Sequence, residues 1–223
     1  MLLPPGMRVG FAPVWHFFRC VFAVGFRWRI YNAGRVPRNG PFILASNHAS
    51  LLDPPVVGSA CPREISYLAR ESLFRFPVVG GVLKWCRAIP VDREGGGAAG
   101  LKGILDRLKA GGGILLFPEG TRTRDGHLQP ARSGIGLAVL KSSAPVVPVR
   151  VFGTFEAMDR TARWPKPHRI QVKFGPPLRF AELRVETRGC SKTRLKGIYQ
   201  EVADQIMAGI ARLEPWEDKE DFP

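Results

Sequence analysis

Short apolar segments alternate with longer segments of helical periodicity along most of the chain. Apolar runs bounded by Gly, Pro or polar residues are typical of buried strands, whereas a period of about 3.6 residues predicts a helix. Helices are predicted over 54–61, 78–86, 98–110, 133–143 and 192–213. Strands are predicted at "WRIYNAG", "PFILAS", "ISYLA", "AIPVD", "GILLFP", "VVPVRVFG" and "HRIQVKFG". This alternation predicts an α/β fold with a mostly parallel central sheet flanked by helices.

The N-terminal region has a different pattern. Two apolar runs are interrupted by Arg19, and neither approaches the roughly 20 apolar residues that span a bilayer. On a helical wheel one arc is basic, with Arg8, His16, Arg19 and Arg27, and the opposite side is rich in Phe and Val. Such a helix is typical of segments that lie in the plane of a membrane surface. We therefore expect an amphipathic, interfacial membrane-anchoring helix within residues 1–30, with a core-packing helix as the alternative.

Charge and composition narrow the choice of partners. The 223-residue chain has a formal net charge of +14, which favours an anionic partner such as nucleic acid, anionic lipid or a phosphorylated substrate. Five acids and one lysine in the last ten residues set an acidic tail, 214–223, apart from a domain over 31–213. The four cysteines are widely spaced and the histidines lack metal-ligand spacing, so no metal is expected. Reduced thiols favour the cytoplasmic side of a membrane.

The first candidate for chemistry is the stretch "ILASNHASLLDPP", residues 43–55. Its predicted strand would bring His48 to the carboxyl end of the sheet, where α/β folds usually bind ligands. A histidine accepts a proton near physiological pH, and does so best when a carboxylate fixes its tautomer. Asp53 can meet His48 only if a turn intervenes and Asp53 begins the next helix, which the sequence Asp-Pro-Pro favours. From these residues alone, a helix cap at Asp53 and a structural His48 remain open.

The second candidate is "ILLFPEGTRTRDG", which runs from a strand into a polar loop. Gly120 permits the backbone to approach a ligand closely. Thr121 and Arg122 offer hydroxyl and guanidinium donors that suit phosphate oxygens. Glu119 would repel a phosphate, so we expect it to orient Arg122 or to accept a hydrogen bond from a ligand hydroxyl. The loop is therefore a candidate site for a phosphorylated ligand.

Together these stretches resemble the motifs of the glycerophospholipid acyltransferase family. "NHASLLD" resembles its NHxxxxD motif and "FPEGTRT" its FPEGTRS motif, with Thr123 in place of the usual serine. Residues 68–93 resemble the second family block, with Arg70 where a lysine is common, and "APVVPVRV" resembles the fourth, around Pro148. The four blocks occur in family order over residues 47–151. The likeness is greatest to the lysophosphatidic acid acyltransferases of the family.

The resemblance implies a 1-acylglycerol-3-phosphate O-acyltransferase of phospholipid biosynthesis, with His48 as general base and Asp53 as its partner. The residues that it implies for substrate binding are Arg93, Glu119, Gly120, Thr121 and Arg122. Acyl-CoA or acyl-carrier protein would be the donor, the sn-2 hydroxyl of lysophosphatidic acid the acceptor, and no cofactor would be bound. The expected location is the cytoplasmic face of the cell membrane, peripheral or monotopic, on an anionic membrane surface.

Other functions remain open at this point. Another lysolipid or glycerol-3-phosphate could be the acceptor, because fold and motif define chemistry better than substrate. An ester or thioester hydrolase would need a nucleophile such as Ser46 or Ser50, but the sequence has no GxSxG elbow. A nucleic-acid-binding module would fit the charge, but Lys and Arg are scattered and no binding signature is recognised. We therefore expect no nucleic acid partner.

Overall fold

The computed structural model describes residues 12–91 and 98–215, and seven strands within these ranges form one sheet. The strands are β1 (Arg29–Tyr31), β2 (Phe42–Ser46), β3 (Ile65–Arg70), β4 (Ile89–Val91), β5 (Gly113–Leu116), β6 (Val146–Phe152) and β7 (Gln171–Phe174). The helices are α1 (Ala12–Phe26), α2 (Asp53–Ala60), α3 (Pro77–Trp85), α4 (Ala98–Lys109), α5 (Gly134–Lys141), α6 (Thr154–Ala157), α7 (Ala181–Glu186) and α8 (Lys192–Ala211). Two short 3₁₀ turns lie at Ala33–Arg35 and Glu71–Arg75.

The order of strands across the sheet is β1-β7-β6-β2-β5-β3-β4. Strands β6, β2, β5, β3 and β4 are parallel, whereas β7 is antiparallel to β6, and β1 runs parallel to β7. The carboxyl ends of the five parallel strands therefore lie along one edge, called here the carboxyl edge. Because β2 and β5 are neighbours, with Ala45 opposite Leu116, the segments that follow them meet at this edge. The predicted α/β fold with a mostly parallel sheet is confirmed.

Strand β2 lies at the centre of the sheet and all five of its residues are buried. Ile43 and Ala45 point to a core that includes residues of α4, α5 and α8, whereas Phe42 and Leu44 point to a core that includes residues of α1 and α2. A strand covered on both faces needs a continuous apolar run rather than alternation. The segment "PFILAS" has such a continuous apolar run. Burial of the strand on both faces fixes the point at which the chain leaves the sheet.

Helix α1 packs on α2 through one of its faces. Trp15, Phe22 and Phe26 are buried, and the indole Nε1 of Trp15 donates to the main-chain oxygen of Cys61 at 3.3 Å. The guanidinium of Arg19 lies over the ring of Trp15, 4.4 Å from its centroid, and donates to the main-chain oxygen of Ser59 at 2.9 Å. Arg19, which the helical wheel placed on a basic arc opposite the apolar face, therefore faces the protein.

The outer face of α1 is apolar. Phe17, Val21 and Val24 are exposed at intervals of four and three residues, which places them in one stripe. The apolar residues of this helix thus divide between the core and solvent. Arg8 of the predicted basic arc lies outside the described residues. None of the described helices combines the length and apolar character that crossing a membrane requires.

The helices and strands predicted from hydrophobic pattern are all present, with ends shifted by a few residues. Helices α6 and α7 and the two 3₁₀ turns were not predicted, because segments this short have no measurable period. The division into residues 1–30, 31–213 and 214–223 stays a prediction. Most of the acidic tail lies outside the described residues.

Candidate active site

His48 and Asp53 form a bonded pair at the carboxyl edge. His48 lies two residues beyond β2, and Asp53 is the first residue of α2. Nδ1 of His48 lies 2.9 Å from Oδ2 of Asp53, and the same oxygen accepts from the N–H groups of Ala49 at 2.6 Å and Ser50 at 2.8 Å. The Asp53 side chain is fully buried, while that of His48 is 18% exposed. The carboxylate closes the turn before the helix and engages Nδ1, which leaves Nε2 to accept a proton.

Asn47 continues the strand pairing where β2 leaves the sheet. Its Nδ2 donates to the main-chain oxygen of Val151 at 3.0 Å, and its Oδ1 accepts from the main-chain N–H of Val151 at 2.8 Å. The buried amide thus takes the place of main-chain pairing just after Ser46 and Val149. The position of His48 is fixed against the neighbouring strand as a result.

The loop after β5 contacts His48 through three of its residues. The main-chain N–H of His48 donates to Oε1 of Glu119 at 3.0 Å, and the main-chain oxygen of His48 accepts from the N–H of Thr123 at 2.8 Å. The imidazole stacks on the ring of Phe117, with centroids 3.9 Å apart and planes inclined by 16°. Both main-chain polar groups and one ring face of His48 are therefore held by the "FPEGTRT" segment.

Glu119 is buried beside this pair, with 3% of the residue exposed. Burial raises the pKa of its carboxyl to about 7, although hydrogen bonds from the main-chain N–H groups of His48 and Gln129 act in the opposite direction. The negative charge of Asp53 raises the pKa further. Among the described residues Oε2 of Glu119 has no hydrogen-bond partner. The carboxyl is therefore placed to bind or release a proton near neutral pH.

Beyond Glu119 the loop reaches the surface. Gly120 is exposed and has a φ of +69°, in the left-handed region that favours glycine. Thr121 and Arg122 are half-buried, and the side chain of Arg132 lies beside Gly120 at the surface. Two arginines next to an exposed backbone turn make this part of the loop suitable for a phosphate group.

The structure brings together six of the residues singled out in the sequence: His48, Asp53, Glu119, Gly120, Thr121 and Arg122. Arg93 lies outside the described residues. Arg70 is exposed at the end of β3. Within the described part of the chain, no group of three or more His, Cys, Asp or Glu side chains could hold a metal ion.

Sequence reasoning missed the contacts that support the pair. Asn47 and Phe117 lie inside the quoted motifs, so the sequence pointed to both residues as part of the site. Their contact partners could not be predicted, because these depend on the order of the strands in the sheet. Arg132 gave no signal in the sequence, because twelve residues separate it from Gly120. The loop of Glu119 also meets the chain after β6, where Nη1 of Arg160 donates to the main-chain oxygen of Arg122 at 3.3 Å.

Exposed apolar side chains surround this edge. Leu51 lies in the turn between His48 and Asp53, and it is exposed. The 3₁₀ turn and α3, which follow the carboxyl end of β3, also expose apolar residues. These are Leu73, Phe76, Val79 and Val82. The carboxyl edge therefore presents apolar surface next to the polar pair.

The sequence of residues 27–152, more than half of the chain, matches the acyltransferase family. The chain belongs to this family. The matched residues include the His48–Asp53 pair and the loop after β5 that contacts it. The family assignment therefore rests on the same part of the chain that forms the candidate active site.

Individual relatives agree with this assignment. The chain is 30% identical over 155 residues to a 1-acyl-sn-glycerol-3-phosphate acyltransferase of Bacillus subtilis (strain 168), covering 69% of this chain and 75% of that protein. It is also 30% identical over 148 residues to a protein of the same name from Limnanthes douglasii, covering 65% of this chain and 52% of the plant protein. The chain thus spans three quarters of the bacterial relative but about half of the plant one.

The fold has a counterpart among crystal structures. The 1-acyl-sn-glycerophosphate acyltransferase PlsC from Thermotoga maritima matches with a TM-score of 0.68, over 92% of this chain and 81% of that one. The two sequences are 22% identical in this comparison, so the likeness shows the fold.

Proposed function

We propose that this protein transfers a fatty acyl group from an acyl thioester to the sn-2 hydroxyl of lysophosphatidic acid, giving phosphatidic acid. The observation that supports this most directly is the bond between Nδ1 of His48 and the buried carboxylate of Asp53, beside a loop suited to phosphate. The names of the bacterial and plant relatives support the choice of acceptor. Acyl-CoA and acyl-carrier protein are both suitable donors, because each presents its acyl chain as a thioester.

His48 acts as the general base. Its Nε2 takes the proton of the acceptor hydroxyl as that oxygen attacks the thioester carbonyl carbon. The tetrahedral intermediate then breaks its carbon–sulfur bond, and the departing thiolate takes the proton from the imidazolium. Asp53 holds the imidazole in the required tautomer and stabilises its transient charge. General-base assistance of this kind contributes about 10²–10⁴-fold to the rate.

The other site residues divide between substrate binding and support. Gly120, Thr121 and Arg122 bind the phosphate and glycerol part of the acceptor, and Arg93 contributes to the substrate site. Glu119 is assigned a positioning role toward His48, since its carboxyl is buried and bonded to the main chain of that residue.

The protein works at the cytoplasmic face of the cell membrane, as a peripheral or monotopic enzyme. The exposed apolar stripe of α1 and the exposed apolar residues of α3 support contact with lipid. Groups of apolar side chains on a protein surface mark sites that contact a partner or a membrane. A membrane position brings the carboxyl edge to a substrate that is itself a membrane lipid.

The test is acyl transfer from a long-chain acyl-CoA, and separately from acyl-carrier protein, to lysophosphatidic acid, glycerol-3-phosphate and other lysolipids. We expect phosphatidic acid to form, and His48→Ala to lose activity by at least about 10²-fold while it stays folded by circular dichroism. Lys192→Ala, which changes an exposed side chain on α8 away from the pair, should retain activity. Release of free fatty acid in the absence of any acceptor would favour a hydrolase instead, and an active His48→Ala enzyme would exclude this mechanism.

A further inference from the structure

Residues 160–168, "RTARWPKPH", form a basic surface segment between α6 and β7 that the proposed chemistry does not use. Arg163, Trp164 and Lys166 are all exposed, and Trp164 is 81% exposed. Tryptophan is usually well buried, so an indole with this much exposure does not contribute its apolar surface to the core. The segment therefore presents an aromatic side chain between two cations with no packing role that would account for it.

The segment is fixed to the candidate site at several points. The hydroxyl of Ser50, in the turn between His48 and Asp53, donates to the main-chain oxygen of Met158 at 2.6 Å. Arg160 donates to the main-chain oxygen of Arg122, as described above. The main-chain N–H of Lys166 donates to the main-chain oxygen of Ala157 at 2.8 Å. The bonds of Met158 and Arg160 therefore tie the start of the segment to the carboxyl edge, and the bond of Lys166 returns the chain to α6.

The segment has an excess of positive charge, because Arg160, Arg163 and Lys166 lie next to a single acid, Asp159. The carboxylate of Asp159 accepts three hydrogen bonds. Two come from Thr161, from its main-chain N–H at 2.6 Å and its hydroxyl at 2.7 Å, and the third comes from the main-chain N–H of Ala162 at 2.9 Å. These bonds use its carboxylate to form the turn that begins the segment. Arg163 and Lys166 are exposed to solvent. The hydrogen bonds from Thr161 lower the pKa of Asp159, and Lys166 helps to lower it.

The end of the segment lies close to the end of α1. The main-chain N–H of Ile170, just after the segment, donates to the main-chain oxygen of Phe26, the last residue of α1. Val24, which is 87% exposed, lies two residues before that contact. The end of α1 and the end of the segment therefore lie next to each other.

We propose that residues 160–168 dock on the headgroup layer of an anionic membrane, with Trp164 at the membrane–water interface and Arg163 and Lys166 on lipid phosphates. Tryptophan is enriched at this depth of a bilayer, and basic side chains near an anionic leaflet are each attracted to it. This docking rests on the proposed function in so far as the substrate is a membrane lipid. It would place the phosphate-binding loop, through Arg122, at the level of the lipid headgroups.

The test measures binding of the full chain to vesicles, without any substrate, by flotation. One set of vesicles contains phosphatidylcholine alone, and the other contains phosphatidylcholine mixed with phosphatidylglycerol. The double variant R163Q/K166Q should bind the anionic vesicles on the order of tenfold more weakly, with little change on neutral vesicles. W164A should weaken binding to both kinds of vesicle, because its contribution is not charge-dependent.

The matched control is K192Q/K196Q, which removes the same charge from exposed positions on α8, a helix on the opposite face of the sheet. An equal loss of anionic-vesicle binding in this control would mean that only net charge matters, and would overturn the proposal. Unchanged vesicle binding by R163Q/K166Q, with a raised KM for acyl-CoA, would assign the segment to the donor phosphates and would also overturn it. Because no substrate enters the binding measurement, failure of acyl transfer by the wild-type protein tests the proposed function separately.

Discussion

The main-chain N–H of His48 donates to Oε1 of Glu119 across 3.0 Å, so a side chain from the loop after β5 fixes the main chain two residues beyond β2. The two residues are 71 positions apart and meet because β2 and β5 are adjacent in the sheet. A residue that fixes a base affects catalysis by a different route from one that binds the acceptor. This difference can be measured.

Glu119→Ala should lower kcat by about 10²-fold with little change in the KM for lysophosphatidic acid, because the base loses its position while the phosphate contacts remain. Glu119→Gln keeps an oxygen that can accept from the N–H of His48, so it should retain more of kcat than the alanine variant. Steady-state kinetics of the two variants provide the comparison, with the exposed Glu182 changed to Ala as a control. A raised KM with unchanged kcat would instead make Glu119 a contact of the acceptor.

The same carboxyl should make stability depend on pH. Its pKa is raised from 4.5 to about 7 by burial, so between these values the folded protein binds a proton that the unfolded chain releases. The contribution to stability is therefore fully present below the lower value and is lost as pH rises through about 7. Glu119→Gln lacks this ionisation. Between about pH 5 and pH 8 the wild type should lose on the order of 3 kcal/mol in free energy of unfolding relative to the variant.

Chemical denaturation of both proteins at several pH values measures this difference. The comparison with Glu119→Gln removes the contribution of other titrating groups, because they are common to both proteins. If the difference in free energy of unfolding between the wild type and Glu119→Gln does not change with pH over this range, the carboxyl ionises in the folded protein as it does in the unfolded chain.

The hydrophobic pattern was sufficient for the fold because the central strands are covered on both faces. A continuous run such as "PFILAS" is buried whatever its neighbours are, and its end determines where His48 emerges. The reversed directions of β7 and β1 could not be predicted, since a run of alternating or apolar residues has no direction. Helix α1 shows a further limit. A helical wheel cannot tell an apolar side that packs on α2 from one that stays exposed, and so it misplaced Arg19.

The pair of His48 and Asp53 could be predicted because both ends of the contact lie in one short motif. Asp53 was expected as a helix cap as well, but its bonds go to Ala49 and Ser50 in the turn before the helix. The inward position of Glu119 could not be predicted in the same way. It depends on the register between two strands, and Glu119 lies next to a turn at Gly120 that sends the following residues to the surface.

Asp53→Asn should reduce kcat by about 10²–10⁴-fold. An amide oxygen in the place of Oδ2 can still accept from His48, Ala49 and Ser50, but it lacks the negative charge that stabilises the imidazolium formed during catalysis. The amide nitrogen would take the place of Oδ1, which is buried without a hydrogen-bond partner among the described residues, and this unpaired donor should lower the free energy of unfolding by about 1–3 kcal/mol. Kinetics and denaturation are compared with Asp106→Asn, an exposed aspartate on α4. Normal kcat in Asp53→Asn would mean that Phe117 and the main-chain contacts orient the imidazole without the carboxylate.

Gly136 and Gly134 provide a matched pair for the contact between α5 and α8. A Cβ on Gly136 would overlap the main-chain oxygen of Tyr199 in α8, whereas a Cβ on Gly134 would meet no atom within 4 Å. Relief of the overlap requires movement of a helix backbone, so Gly136→Ala should lower the free energy of unfolding by about 1–3 kcal/mol. Gly134→Ala should raise it by up to about 1 kcal/mol through reduced freedom of the unfolded chain. Urea denaturation of the two variants measures both effects, and equal stabilities would show that α8 moves away from α5 at no cost.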